Sequence, residues 1–292
     1  MPVAEKVFLD YTQEELDRAY DQAAWVPNID DMRALTQSLS AEVREQLVHV
    51  ERRYGITADE TLEILPAARE GAPVVLFIHG GRWLAQPHNA FVHFAGTIVG
   101  AGAHYVAARF ASLPPTPGRI RMPLLIDQLR RAVFWLQRHA PEFGGDPAQI
   151  HLIGHSSGAH LASVLLTTRW IEYDLPTDPI RTGILISGMY DLRPVLLSAR
   201  SRYVELSAAE EDEYSAIRHV DRITCPVLVA HGTDESPEFQ RQARDFAAAL
   251  ERTGRPVRLL TVPGCNHFEI NASLGDRASP MAQAALAHMG LG

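Results

Sequence analysis

From Thr61 onward the chain alternates short apolar runs with longer stretches of helical periodicity, a rhythm that few folds can accommodate. The runs predicted as strands are Thr61–Leu65, Val74–His79, Ala103–Ala108, Ile150–Ile153, Gly183–Ile186, Val227–His231 and Arg258–Val262. Strands that are apolar at nearly every position are buried on both faces, which describes a mostly parallel sheet with helices on either side. The intervening stretches predict helices near 88–101, 123–139, 157–169, 238–252 and 280–289.

Residues 1–55 read differently. They contain no strand-like run, and two amphipathic stretches, about 12–23 and 30–53, predict a helical preface. Thr12 followed three residues later by Glu15 predicts a capping box at the first of these helices. No internal repeat or low-complexity linker divides the chain, and the turn-rich stretch Leu113–Gly118 is too short to separate domains, so residues 1–292 are expected to form a single domain. The segment 190–217, acidic in its second half, is long for a strand-to-helix connection and is the candidate lid.

A chain of 292 residues with 46% hydrophobic content can bury a sizeable core. The net charge of −8 and the scattered placement of 27 Lys and Arg make nucleic acid an unexpected partner. The N-terminus lacks the basic start and apolar run of a signal peptide, and no later run approaches the length of a membrane span. A cytoplasmic location without membrane contact is the expectation. Cys225 and Cys265 are expected to be free thiols, one entering and one leaving a strand, near opposite sheet edges.

Gly154-His155-Ser156-Ser157-Gly158 follows His151-Leu152-Ile153 and precedes a helical pattern, the strand–turn–helix context of a nucleophile elbow. The letters alone are weak, since such a string arises by chance in roughly one chain in ten of this length; the context carries the reading. Ser156 is the expected nucleophile. Upstream, Val74–Ile78 runs into His79-Gly80-Gly81-Arg82-Trp83, the position of a loop whose backbone N–H groups can stabilise a tetrahedral oxyanion. The amides of Gly80, Gly81 and Ser157 are assigned to that oxyanion hole.

An acid and a histidine should follow, in that order, each after a late strand. Val227–His231 leads to Gly232-Thr233-Asp234-Glu235, and Arg258–Val262 leads to Pro263-Gly264-Cys265-Asn266-His267. His267 is the expected base and Asp234 the expected acid, with Glu235 as the alternative in a bent loop. Among 13 histidines, His155, His160 and His231 are expected to pack or support rather than react. The sequence has no His-Glu-x-x-His, Cys-x-x-Cys, Walker or dinucleotide glycine pattern, so neither a metal nor another cofactor is expected.

The chain resembles the α/β-hydrolase arylformamidases, or kynurenine formamidases, and their close esterase relatives. The segments that carry the likeness are His79–Trp83, Phe143-Gly144-Gly145-Asp146-Pro147, Gly154–Leu161, Ser187-Gly188-Met189-Tyr190-Asp191-Leu192-Arg193-Pro194 and Asp234-Glu235-Ser236-Pro237-Glu238-Phe239, with Tyr20 to Asn28 beside them. The first three are shared with esterases of the hormone-sensitive-lipase type; the Ser187 and Asp234 segments are more typical of the formamidase branch. The resemblance implies an α/β-hydrolase fold and a small-molecule substrate, an aryl formamide such as N-formylkynurenine. A general short-chain carboxylesterase and a catalytically silent binding module are the alternatives, and a homodimer is a compatible assembly. Arg82 stands where such enzymes often carry an aromatic residue, and it is expected at the pocket rim, favouring substrates with a carboxylate. Trp83 and Tyr190 are expected aromatic contacts to the leaving group.

Overall fold

The computed structural model describes residues 5–84, 90–111 and 122–292. The Leu113–Gly118 stretch and the start of the helix expected at 88–101 lie outside the described residues. Among those described, the sheet is formed by β3 (Val50–Arg53), β4 (Thr61–Leu65), β5 (Ala72–Ile78), β6 (His104–Arg109), β7 (Gly145–His155), β8 (Thr182–Ile186), β9 (Val227–Gly232) and β10 (Val257–Val262). Their order is β10-β9-β8-β7-β5-β6-β4-β3. Every neighbouring pair from β10 to β6 is parallel, while β6–β4 and β4–β3 are antiparallel.

Alternation along the central strands splits the core into two layers. Val74, Leu76 and Ile78 of β5 join the cluster on one face, which includes residues of α4 (Met122–His139), α5 (Ser157–Leu166) and α8 (Pro237–Glu251). Val75 and Phe77 join the other, with residues of α3 (Ala95–Gly100) and α10 (Pro280–Met289). This is the arrangement that the apolar runs implied. A sheet covered on both faces leaves the carboxyl ends of its parallel strands as the place where loops converge on a ligand. Among the described residues no helix is long and apolar enough to cross a membrane.

The preface is more than helices. A small hairpin, β1 (Lys6–Phe8) with β2 (Tyr11–Thr12), precedes α1 (Gln13–Tyr20), and α2 (Ile29–Gln46) ends before β3. The capping box forms as expected: Thr12 N–H donates to Glu15 Oε2 (2.8 Å) and Glu15 N–H to Thr12 Oγ1 (3.3 Å). The hydrogen bonds from Thr12, more than the nearby Lys6, hold the Glu15 carboxyl down to about 2. β3 escaped the periodicity because Val-Glu-Arg-Arg is a short edge strand with three exposed charged residues and no apolar alternation. Glu63, buried in β4, receives both Arg44 Nε (2.6 Å) and Nη2 (2.8 Å), tying α2 to this edge. Burial opposes that carboxylate, yet Arg44 outweighs it and holds the Glu63 carboxyl below its usual range.

Residues 190–217 form short helices, α6 (Arg193–Leu197) and α7 (Ala208–Tyr214), with a 3₁₀ turn at Ala199–Arg202. This segment packs on α1: Gln13 Nε2 donates to Leu197 O (2.9 Å) and Ala199 N–H to Asp17 Oδ1 (2.6 Å). Preface and insertion together roof the carboxyl ends of the strands. Cys225 and Cys265 are free thiols. They lie at opposite ends of two neighbouring strands, before β9 and after β10, rather than near opposite sheet edges.

Candidate active site

Ser156 ends β7 and begins α5 in a left-handed conformation, φ 56° and ψ −124°, which a residue with a Cβ adopts only when its surroundings impose it. The imposition is visible: Ser156 N–H donates to Ile186 O (2.8 Å), while α5 starts immediately at Ser157. Gly158 makes this packing possible, because a Cβ there would run into the carbonyls of Ile78 and His79. A Cβ at Gly80 would meet His155 O and Ser156 Cβ, both at 2.9 Å, so the backbone after β5 lies directly against the elbow. Trp83 N–H donates to Ser157 Oγ (3.2 Å), clamping the Gly80–Gly81 turn to the first turn of α5.

His267 follows β10 and is buried. Its Nε2 lies 2.8 Å from Ser156 Oγ and its Nδ1 lies 2.8 Å from Glu235 Oε2. With Nδ1–H donating to the carboxylate, Nε2 is left to accept the serine proton. The carboxylate that meets His267 is therefore that of Glu235, not that of Asp234. After β9 the chain turns outward at Thr233 and Asp234, and the exposed Asp234 carboxylate accepts from Thr233 Oγ1 (2.9 Å). Glu235, one residue on and one methylene longer, reaches back inward, where its Oε1 also accepts from Ser187 Oγ (2.7 Å) and Gly232 N–H (2.7 Å).

The prolyl oligopeptidase family model matches residues 132–285, and the BD-FAE model residues 63–177. The chain is 30% identical to the kynurenine formamidase of Danio rerio, with 91% of this chain and 92% of the relative covered. It is 28% identical to esterase LipC of Mycobacterium tuberculosis over 81% of this chain and 64% of that protein. A provisionally assigned thioesterase from Silicibacter sp. TM1040 superposes with a TM-score of 0.77 at 24% identity, covering 92% of this chain and 98% of that one. The chain belongs to the kynurenine formamidase family of α/β-hydrolases.

In this family member Ser156 and His267 sit on the wall of a cavity of about 890 Å³, with Glu235 buried behind them. Gly80, Gly81 and Arg82 line it with Ser156 and His267. Arg82 is exposed and left-handed (φ 60°). Trp83 and Tyr190 are not on the cavity wall. Trp83 is buried with its Nε1–H on His160 Nδ1 (3.2 Å), and Tyr190 is buried with its ring stacked on Phe246 at 4.2 Å. Both are apolar side chains beside core strands that found a better partner inside the protein than in the cavity.

Ser187 and Phe239, which contact Glu235 and His267, were not singled out from sequence, whereas His155 was expected to pack or support. Ser187, at the end of β8 with φ 54°, holds the acid; it stands in a quoted motif, yet only its hydroxyl direction reveals the role. Phe239 sets its ring edge-on to His267 at 4.8 Å. His155 Nε2 lies 2.8 Å from His267 O and supports the histidine loop. Burial, reinforced by neighbouring His267, pushes His155 well below its ordinary value and keeps it neutral. Among the described residues no group of three or more His, Cys, Asp or Glu is arranged to hold a metal ion.

Burial likewise pushes His93, His151 and His160 down to about 4 from 6.5. In the unfolded chain these rings bind protons near the ordinary histidine value, so the unfolded state holds more protons between about 4 and 6.5. Stability is therefore full above that window and falls as pH drops through it. Each ring contributes a slope of up to about 1.4 kcal/mol per pH unit. Urea unfolding at pH 7.5, 6 and 5 should show a progressive fall, and a flat profile would contradict the buried neutral assignment.

Proposed function

We propose that Ser156, His267 and Glu235 form a catalytic triad that hydrolyses a small acyl amide, an aryl formamide such as N-formylkynurenine. The continuous line from Glu235 through His267 to Ser156, each link 2.8 Å, carries this reading. His267 Nε2 takes the Ser156 proton as Oγ attacks the formyl carbon, and Glu235 fixes the tautomer and stabilises the imidazolium that results. The backbone N–H groups of Gly80, Gly81 and Ser157 receive the developing oxyanion. His267 then hands its proton to the departing nitrogen, and water releases formate from Ser156. The formamide substrate is supported by the likeness to the Danio rerio enzyme along nearly the whole of both chains.

An amine leaves less readily than p-nitrophenolate, so formamide turnover needs the leaving portion held in line with His267. The expected result is a kcat/KM on N-formylkynurenine at least equal to that on p-nitrophenyl acetate. The likeness to esterase LipC favours a short-chain carboxylesterase as the second reading. A formamide rate more than about a hundredfold below the ester rate, roughly 2.7 kcal/mol of missing transition-state stabilisation, would favour it. A silent binding module is separated by a fluorophosphonate probe, which should label Ser156 here.

A further inference from the structure

We propose that the cavity wall where residues 20–22 meet residues 199–203 is a subsite for a carboxylate on the substrate, with Arg200 as its charged donor. Arg200 is 3% exposed and lines the cavity, yet among the described residues it makes no ion pair. Its Nη2–H donates to Tyr20 O (2.9 Å) and Nη1–H to the weakly accepting sulfur of Met189 (3.4 Å). Its Nε–H has no hydrogen-bond partner. The rings of Tyr20, Phe239 and Trp83 stand 5.3, 5.9 and 6.0 Å from the guanidinium carbon and offset part of the cost of burying the charge. A buried cation with only neutral partners remains electrostatically incomplete.

Other residues that line the cavity are incomplete in the same way. Among the described residues, five of the nine buried side-chain nitrogen and oxygen atoms without a hydrogen-bond partner belong to Gln22, Arg200, Tyr203 and Asn271, all on this cavity wall. Native proteins leave few such atoms, and a cluster of them on one cavity asks for a ligand or water with matching polarity. Three of the five are donors, the Gln22 amide N–H₂, the Tyr203 hydroxyl and the charged Arg200 Nε–H, a set suited to a planar, singly charged carboxylate, and two are acceptors, Gln22 Oε1 and Asn271 Oδ1, suited to a donor elsewhere on the same ligand or to water. Asp17 and Asp21 on the same wall disfavour a doubly charged phosphate. Arg82 on the cavity wall adds a second positive charge, whose repulsion joins burial in lowering the Arg200 proton affinity.

This inference rests on the proposed function in placing the reacting carbonyl at Ser156, but its test does not require a formamide. Hydrolysis of p-nitrophenyl acetate is inhibited competitively by 3-phenylpropanoate and by its neutral analogue 3-phenylpropanamide, each over a concentration series. The wild-type enzyme should bind the carboxylate at least tenfold more tightly. Arg200→Met should bring that ratio below about threefold, and Tyr203→Phe should narrow it by a smaller factor. Equal inhibition constants in the wild type overturn the proposal. So does a ratio that Arg200→Met leaves unchanged, or that Tyr203→Phe leaves unchanged if the methionine variant does not fold. If the ratio behaves as expected while N-formylkynurenine is not turned over, the formamidase reading fails and the carboxylate subsite stands.

Discussion

Ser156→Ala is expected to lower kcat on the preferred substrate by about 10⁶-fold, the scale seen when the nucleophile of a serine triad is removed. The geometry makes the loss this large because Ser156 Oγ lies 2.8 Å from His267 Nε2 and, among the described residues, no other hydroxyl is hydrogen-bonded to that nitrogen. What survives is the background that an oxyanion hole and substrate binding supply without a nucleophile. The substitution removes one oxygen from a residue whose left-handed backbone is held by the Ile186 carbonyl and by α5, so the fold persists. The measurement is kcat with circular dichroism and fluorophosphonate labelling on the same preparation. A folded alanine variant retaining more than about a hundredth of the activity would show that Ser156 is not the nucleophile.

Glu235→Gln is expected to cost about 10³- to 10⁴-fold in kcat, whereas Asp234→Asn should change it less than about threefold. Glu235 is 2% exposed and its carboxylate accepts from His267, Ser187 and Gly232 at once. A neutral amide can neither favour the Nδ1–H tautomer nor stabilise the imidazolium, and a triad with the acid neutralised loses about 10⁴ in kcat for that reason. Asp234 is exposed and bonded to Thr233, so its charge acts on His267 only through solvent. Paired measurements of kcat for the two variants decide between adjacent residues, and the reverse order of effects would return the role to Asp234.

Much of this molecule was legible in the chain because its information is local and periodic. Each strand expected from Thr61 onward appears, with ends within two residues of those expected except that β7 begins five residues earlier, at Gly145; the central strands were legible because a strand buried on both faces must be apolar throughout. The elbow was legible because a tight strand-to-helix crossing admits only glycine at Gly158, where any side chain would strike backbone. Chain order singled out His267, and the fold brings it to Ser156. The Thr12–Glu15 capping box depends only on residues three apart, and so it also could be read directly.

What the tertiary structure alone decided are the questions of direction and of distant partners. Asp234 and Glu235 are one peptide apart, and whichever faces His267 depends on how the loop after β9 turns against the Cys265 carbonyl, to which Asp234 N–H is tied at 3.1 Å. The β3 strand exists because β4 offers it an edge. Trp83 and Tyr190 turned inward because His160 and Phe246, far along the chain, were there to receive them. Arg200 looked like any other arginine until the fold buried it among three aromatic rings with no ion pair among the described residues. Local sequence fixes backbone period and turn chemistry, but the partner of a side chain is set by residues that only the folded chain brings within a few ångströms.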